Sequence, residues 1–186
     1  GRQMGDAMAR KKDTDIIALF TAYNGGTELG SSGTDLTLQR LGACIAFAKA
    51  NKFPSPVSVV HHPNAIFRVV NSAALVGAST ITAGSGNYAI PHGYSEDLLR
   101  DFYKFTLNGV AVFEDGNITS AAGSEGAIFS MAAAAYVEQM GFNTERERDA
   151  SLRATELVVT ADYGVFELDD TYGAPMMYTS TAPATT

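Results

Sequence analysis

Between Thr144 and Asp170 the chain reads TERERDASLRATELVVTADYGVFELDD, and this stretch narrows the possible folds more than any other. Glu145, Arg146, Glu147 and Arg148 alternate in sign. In a strand, Glu145 and Glu147 would line one face and Arg146 and Arg148 the other, because successive side chains point to opposite sides. Such a strand cannot lie in a two-sided core, since each unpaired buried charge costs several kcal/mol. It is either a solvated hairpin edge or a strand that pairs with charges from another chain. From Leu157 the pattern changes. Leu157, Val159, Ala161, Tyr163 and Val165 share one face, and Thr160 and Asp162 take the other. The apolar parity then flips to Phe166 and Leu168, with Gly164 at the switch. A β-bulge at Gly164 would produce that flip, as would a strand that ends and restarts. In this register Leu157 faces inward, and a carboxylate there is expected to unfold the subunit.

The rest of the chain interleaves helices with short strands. Met4, Met8, Ile16 and Phe20 form one stripe at spacings of four, with Lys12 completing the row. That helix is expected to end near Tyr23, where Asn24-Gly25-Gly26 tolerates left-handed backbone. No capping residue precedes Met4, so the start reads as a cut. A second helix capped by Thr34 or Asp35 would bury Leu38, Leu41, Ile45 and Ala48, and NKFPSP would end it. Val57–His61 reads as a strand, and Pro63 opens a third helix with Ile66, Phe67, Val70 and Ala74 inward. An irregular segment follows, with a strand expected at Ser79–Ala83. Ser95, Glu96 and Asp97 would open a fourth helix carrying Leu98, Leu99, Phe102 and Phe105. Gly109–Asp115 and GAIFS read as strands. Met131–Met140 reads as an alanine-rich helix capped by Ser130, and the final TSTAPATT as a frayed tail. There is no internal repeat.

Composition excludes several functions. A net charge of −7 over 186 residues disfavours a sequence-independent grip on nucleic acid. One cysteine, Cys44, rules out an internal disulfide, and its place beside Ile45 predicts a buried, inert thiol. No apolar run approaches the roughly 20 residues of a membrane span, and the N-terminus lacks a signal-peptide layout, so the chain reads as soluble. The three histidines are His61, His62 and His92. Adjacent histidines on a strand point to opposite faces and cannot share one ion, so a packed imidazole and a helix-capping one are the better reading. GSGNYA lacks the helix a dinucleotide fingerprint needs, and GSSG and GSEG miss the spacing of a nucleophile elbow. The acid pairs Glu114-Asp115 and Asp169-Asp170 adjoin turns, which accounts for them without catalysis. A small metal enzyme using the histidines and an acid such as Glu125 is the alternative; no catalytic, cofactor or metal residue is expected.

ERDASLRATELVVTADYGVFELDDTYGAPMMY resembles the C-terminal ribbon of tailed-bacteriophage major capsid proteins of the Hong Kong 97 type. MGDAMARKKDTDIIALF is similar to the end of that family's spine helix, and LTLQRLGACIAFAKAN with PVSVVHHPNAI to its axial helix–strand–helix. GAIFSMAAAAYVEQM resembles the strand and helix before the return to the peripheral lobe. The resemblance implies an α+β fold with an axial lobe (a mixed sheet flanked by helices) and a peripheral lobe (spine helix plus long β ribbon). Residues 1–23 would be spine, 24–140 axial lobe, 141–180 ribbon and 181–186 a flexible tail. The family's N-terminal arm and extended loop have no counterpart in these residues. The implied function is structural: hexamers and pentamers of this chain tiling an icosahedral virion shell around double-stranded DNA, assembled in the host cytoplasm. Scaffolding, portal and decoration proteins are the implied partners, with DNA enclosed without specific binding and no membrane. A non-viral compartment shell shares the fold. Glu145, Arg146, Glu147, Arg148, Asp149 and Arg153 are the candidate subunit-interface residues, because charge complementarity sets register and partner choice.

Overall fold

A computed structural model describes residues 1–78, 104–149 and 151–183. Two sheets organise them. The larger has six strands in the order β1 (Leu29–Gly30), β8 (Gly173–Tyr178), β5 (Ser124–Ser130), β2 (Val57–His61), β4 (Val110–Glu114) and β3 (Lys104–Leu107). It is mixed: β1 runs parallel to β8 and β2 parallel to β4, while the other neighbours are antiparallel. The second sheet is a two-stranded ribbon of β6 (Ala134–Asp149) and β7 (Ala154–Glu167).

The six-stranded sheet is covered on both faces, which its sequence anticipates, since strands buried on two sides carry near-continuous apolar runs. Alternation sends Val59 and Ile128 to one face, where α2 (Leu38–Ala50) and α3 (Pro63–Ala78) bury Leu41, Ile45, Ile66 and Val69. It sends Val60, Ala127 and Phe129 to the other face, where Phe20 and Tyr23 pack with ring centroids 5.5 and 6.3 Å from Phe129. Phe20 and Tyr23 follow α1 (Arg2–Ile17), which stops before Phe20 and is succeeded by turns. Asn24 and Gly25 take φ values of 55° and 61°, the left-handed backbone expected at NGG.

Most of the expected elements are present. Val57–His61 is β2, Cys44 is buried beside Tyr178, and the irregular end of α2 falls at Asn51. The cap of α2 is Thr37, whose hydroxyl accepts the Arg40 N–H at 3.3 Å, and not Thr34 or Asp35. On α3, Val69 takes the inward place expected of Phe67, which is exposed. The strand expected at Ser79–Ala83 and most of the fourth helix lie outside the described residues, as do His92 and GSGNYA. Phe105, expected on that helix, belongs to β3.

Other expectations are corrected. The alanine-rich helix at Met131–Met140 does not form: residues from Ala134 onward are strand β6, paired with β7 through Ala134↔Glu167 and Tyr136↔Val165. Alanine's helix preference is under 1 kcal/mol per residue over most alternatives, and a partnered strand carrying Tyr136 and Val137 outweighs it. The ribbon therefore begins at Ala134, the boundary expected between 140 and 141 falls inside β6, and 173–178 belong to the large sheet. The register breaks are on β6, between Glu138 and Met140 and between Met140 and Asn143, while Gly164 stays in register opposite Val137. Gly164 is needed because the Phe166 ring lies across it; a Cβ there would sit 2.7 Å from that ring. Finally, Thr179 and Ser180 are buried and anchored: Ser180 N–H donates to the Ala121 carbonyl at 2.9 Å, and Asn64 donates to the Ser180 carbonyl at 2.9 Å. Arg68 holds Thr181 in the same way, so fraying does not begin at Thr179. Residues 184–186 lie outside the described residues.

Candidate assembly surface

The ribbon is bound to the rest of the subunit at its base. Lys12 on α1 lies 5.5, 4.6 and 5.2 Å from the ring centroids of Tyr136, Phe142 and Tyr163, and pairs with Glu138 at 2.9 Å. Tyr136 and Glu138 raise the pKa of this ammonium, and Lys12 in turn lowers that of Glu138. One turn along α1, Asp15 accepts a hydrogen bond from the Tyr163 hydroxyl at 2.7 Å and pairs with Lys11. Lys11 and Tyr163 hold the Asp15 carboxyl below its usual range. A lysine packed among three rings gains cation–π attraction and buries its stem while keeping its charge satisfied. The signal in the sequence was a single lysine in an otherwise apolar row of α1.

A second tether was not legible. Both Asp170 carboxylate oxygens accept the Gly25 N–H, at 3.0 and 2.9 Å, joining the end of the ribbon to the left-handed turn after α1. Asp169 accepts from the Thr171 N–H and hydroxyl at 2.9 and 2.6 Å, and Asp115 from the Asn117 N–H at 2.7 Å. These are turn acids, as their sequence context implied.

Beyond its base the ribbon's strands are largely exposed. Glu145, Arg146, Glu147 and Arg148 are all exposed on β6, and Arg153 is exposed in the turn with φ 52°. No ion pair engages these five within the described residues. Asp149 pairs with Ala154 in the backbone register, and its side chain is outside the described residues. The inward face expected for the ribbon is only half realised. Val159, Ala161, Tyr163 and Val165 are partly buried, but Leu157 is 44% exposed.

The histidines take structural roles. His62 Nδ1 accepts the Asn64 N–H at 3.1 Å and so caps α3. His61 is fully buried against Gly126, where an added Cβ would meet the imidazole at 2.4 Å. Glu125 lines a cleft of about 240 Å³ with Thr21, Thr119 and Ser124, and neither His61 nor His62 borders it. Among the described residues no group of three His, Cys, Asp or Glu side chains is placed to hold a metal ion.

The fold made by the two-sided mixed sheet and the long ribbon clasped to α1 matches solved structures, among them shell proteins. A solved structure from Mycobacterium phage Che8 superposes with a TM-score of 0.61 at 21% identity, covering 94% of this chain and 61% of that one. The chain has the Hong Kong 97-type capsid fold. The holo-SrpI encapsulin of Synechococcus elongatus PCC 7942 matches at TM-score 0.69 and 13% identity, over 100% of this chain and 66% of that one. The capsid of cyanophage P-SCSP1u matches at TM-score 0.60 and 17% identity, over 97% and 64%. The chain thus spans a little under two thirds of the length of these structures. No protein-family model matches the chain, and no curated protein matches it in sequence.

Proposed function

We propose that this chain is the major coat protein of a tailed double-stranded DNA bacteriophage, assembling as hexamers and pentamers into the icosahedral shell that encloses the genome. The observation that carries this reading is the exposed ribbon on a capsid fold: its tip presents Glu145, Arg146, Glu147, Arg148 and Arg153 with no ion pair among the described residues. A lone subunit gains little from ordering such charges, whereas contacts with other copies give them directional partners. The six-stranded sheet with α2 and α3 would form the axial lobe, and α1 with the ribbon the peripheral lobe. A net charge of −7 suits a wall that encloses DNA without gripping its phosphates. Scaffolding, portal and decoration proteins would be its partners, and the virion its location. The structural neighbours are shell proteins, which argues against catalysis.

The encapsulin match supports a second reading, a compartment shell that holds protein cargo. Electron microscopy of particles made by the full-length protein, followed by nuclease treatment, tests the two together. Closed icosahedra holding nuclease-protected DNA in phage-producing cells are expected. Closed particles that hold protein and no DNA would move the assignment to the compartment, and open tubes or persistent monomers would overturn both.

A further inference from the structure

The distal ribbon separates its charges by sign onto two faces. All the register breaks lie on β6, so β7 alternates without interruption, with odd-numbered residues on one side and even-numbered on the other. Tyr163 contacts Asp15 of α1, which makes the odd side the helix side. Cross-strand pairing carries this assignment to β6. Arg146 lies opposite Leu157 and Arg148 opposite Thr155, both on the helix side. Glu145 lies opposite Val158 and Glu147 opposite Glu156, both on the outer side, which Asp162 shares.

Beyond the Lys12 clasp, the outer face therefore carries Glu145, Glu147, Glu156 and Asp162, with Asp149 at an outer register position opposite Ala154, and no base, while the helix side carries two guanidiniums and no acid, among the described residues. Glu147 and Glu156 face each other directly, a like-charge pair that works against the isolated ribbon. The outer face is apolar as well as acidic: nearer the base, Val137 and Phe166 are 55% and 56% exposed. One surface is thus opposite in charge to the other, and both belong to the same chain.

We propose that the acidic outer face of one ribbon receives the Arg146 and Arg148 face of the ribbon from a neighbouring copy. The contact is head-to-tail and not two-fold, so it propagates until rotation closes it into a ring. The partner's arginines relieve the repulsion between Glu147 and Glu156, and the contact fixes the order of subunits. This inference rests on the shell-forming function proposed above.

Two full-length variants test it: Glu145→Arg/Glu147→Arg/Glu156→Arg, which makes both faces basic, and Arg146→Glu/Arg148→Glu, which makes both acidic. Each alone is expected to raise the concentration needed for particle formation by about tenfold or more, with an unchanged melting profile. Mixed in equal amounts they are expected to associate with each other in even-numbered, alternating oligomers, because each supplies the sign the other lacks. Particles from either variant alone at the wild-type concentration would overturn the contact, as would failure of the two variants to associate with each other when both melt normally. If either variant misfolds, the wild-type protein decides. Its assembly concentration should rise severalfold between about 50 and about 500 mM salt, and an unchanged threshold would overturn the proposal. Wild-type protein that never assembles would instead remove the shell function itself.

Discussion

His61 gives the sharpest test of the fold. It is fully buried in β2, and its Nδ1 accepts the backbone N–H of His62 at 2.8 Å. The ring proton therefore sits on Nε2, which has no hydrogen-bond partner among the described groups. A second proton would place a charge between two strands and set a new donor against the His62 N–H. Burial lowers the pKa from 6.5 to about 4, outweighing an opposing pull from the Met176 backbone and reinforced by His62. The unfolded chain titrates near the ordinary value, so it binds the extra proton across that window while the folded chain does not. The stability that results is complete above pH 6.5 and drains away as pH falls to about 4. A gap of about 2.5 units at about 1.4 kcal/mol each makes the loss about 3 kcal/mol. Urea unfolding of dilute, unassembled subunit at about pH 7 and about pH 4 measures it, with His61→Gln as the reference. Asp15, Glu138 and Asp169, whose pKa values are lowered, also cost stability toward acid, but equally in both proteins. The acid loss should be about 3 kcal/mol smaller in His61→Gln. Equal losses would show that the imidazole is not held neutral and that β2 is not packed as described.

Further expectations concern the core and the tethers. Gly126→Ala puts a Cβ 2.4 Å from the Val60 carbonyl, a backbone atom that cannot step aside, and should cost about 3 kcal/mol in denaturant unfolding; a wild-type midpoint would place β5 elsewhere. Leu157→Asp, which the sequence register marks as unfolding, should leave the melting temperature nearly unchanged, because the side chain is 44% exposed. A collapsed transition would mean that something does cover it in the free subunit. Asp170→Ala removes both acceptors from the Gly25 N–H and should cost about 1 kcal/mol, discounted for exposure, with faster amide exchange at Gly25. Unchanged exchange there would dismiss the tether.

The large sheet and its helices were readable because their residues satisfy local and global demands together. Leu41, Ile45 and Ala48 repeat at helical spacing, Val57–His61 is a short apolar run between breakers, and Asn24-Gly25 suits only a turn. The resemblance to a capsid fold lay in segments that follow the family's order along nearly the whole chain. The six interface candidates were recognisable as charged and exposed, but not as two opposed sets, because Glu156 joins Glu145 and Glu147 only through the cross-strand register. The clasp at Lys12 left a trace, one lysine in an apolar row, with nothing to say which rings would receive it.

Alternation and spacing alone determined that this chain makes a mixed α+β subunit with a charged strand that no core can accept, because periodicity and the cost of burying charge act on neighbouring residues. Tertiary structure decided the rest. The segment at Ala134–Met140 has helix-forming composition and becomes a strand because β7 lies ready to pair with it. Leu157 has core composition and is nonetheless 44% exposed, because its burial depends on which distant elements pack against the ribbon. Pairing partners and cover come from residues distant in the chain, and local pattern carries no record of where those residues will be.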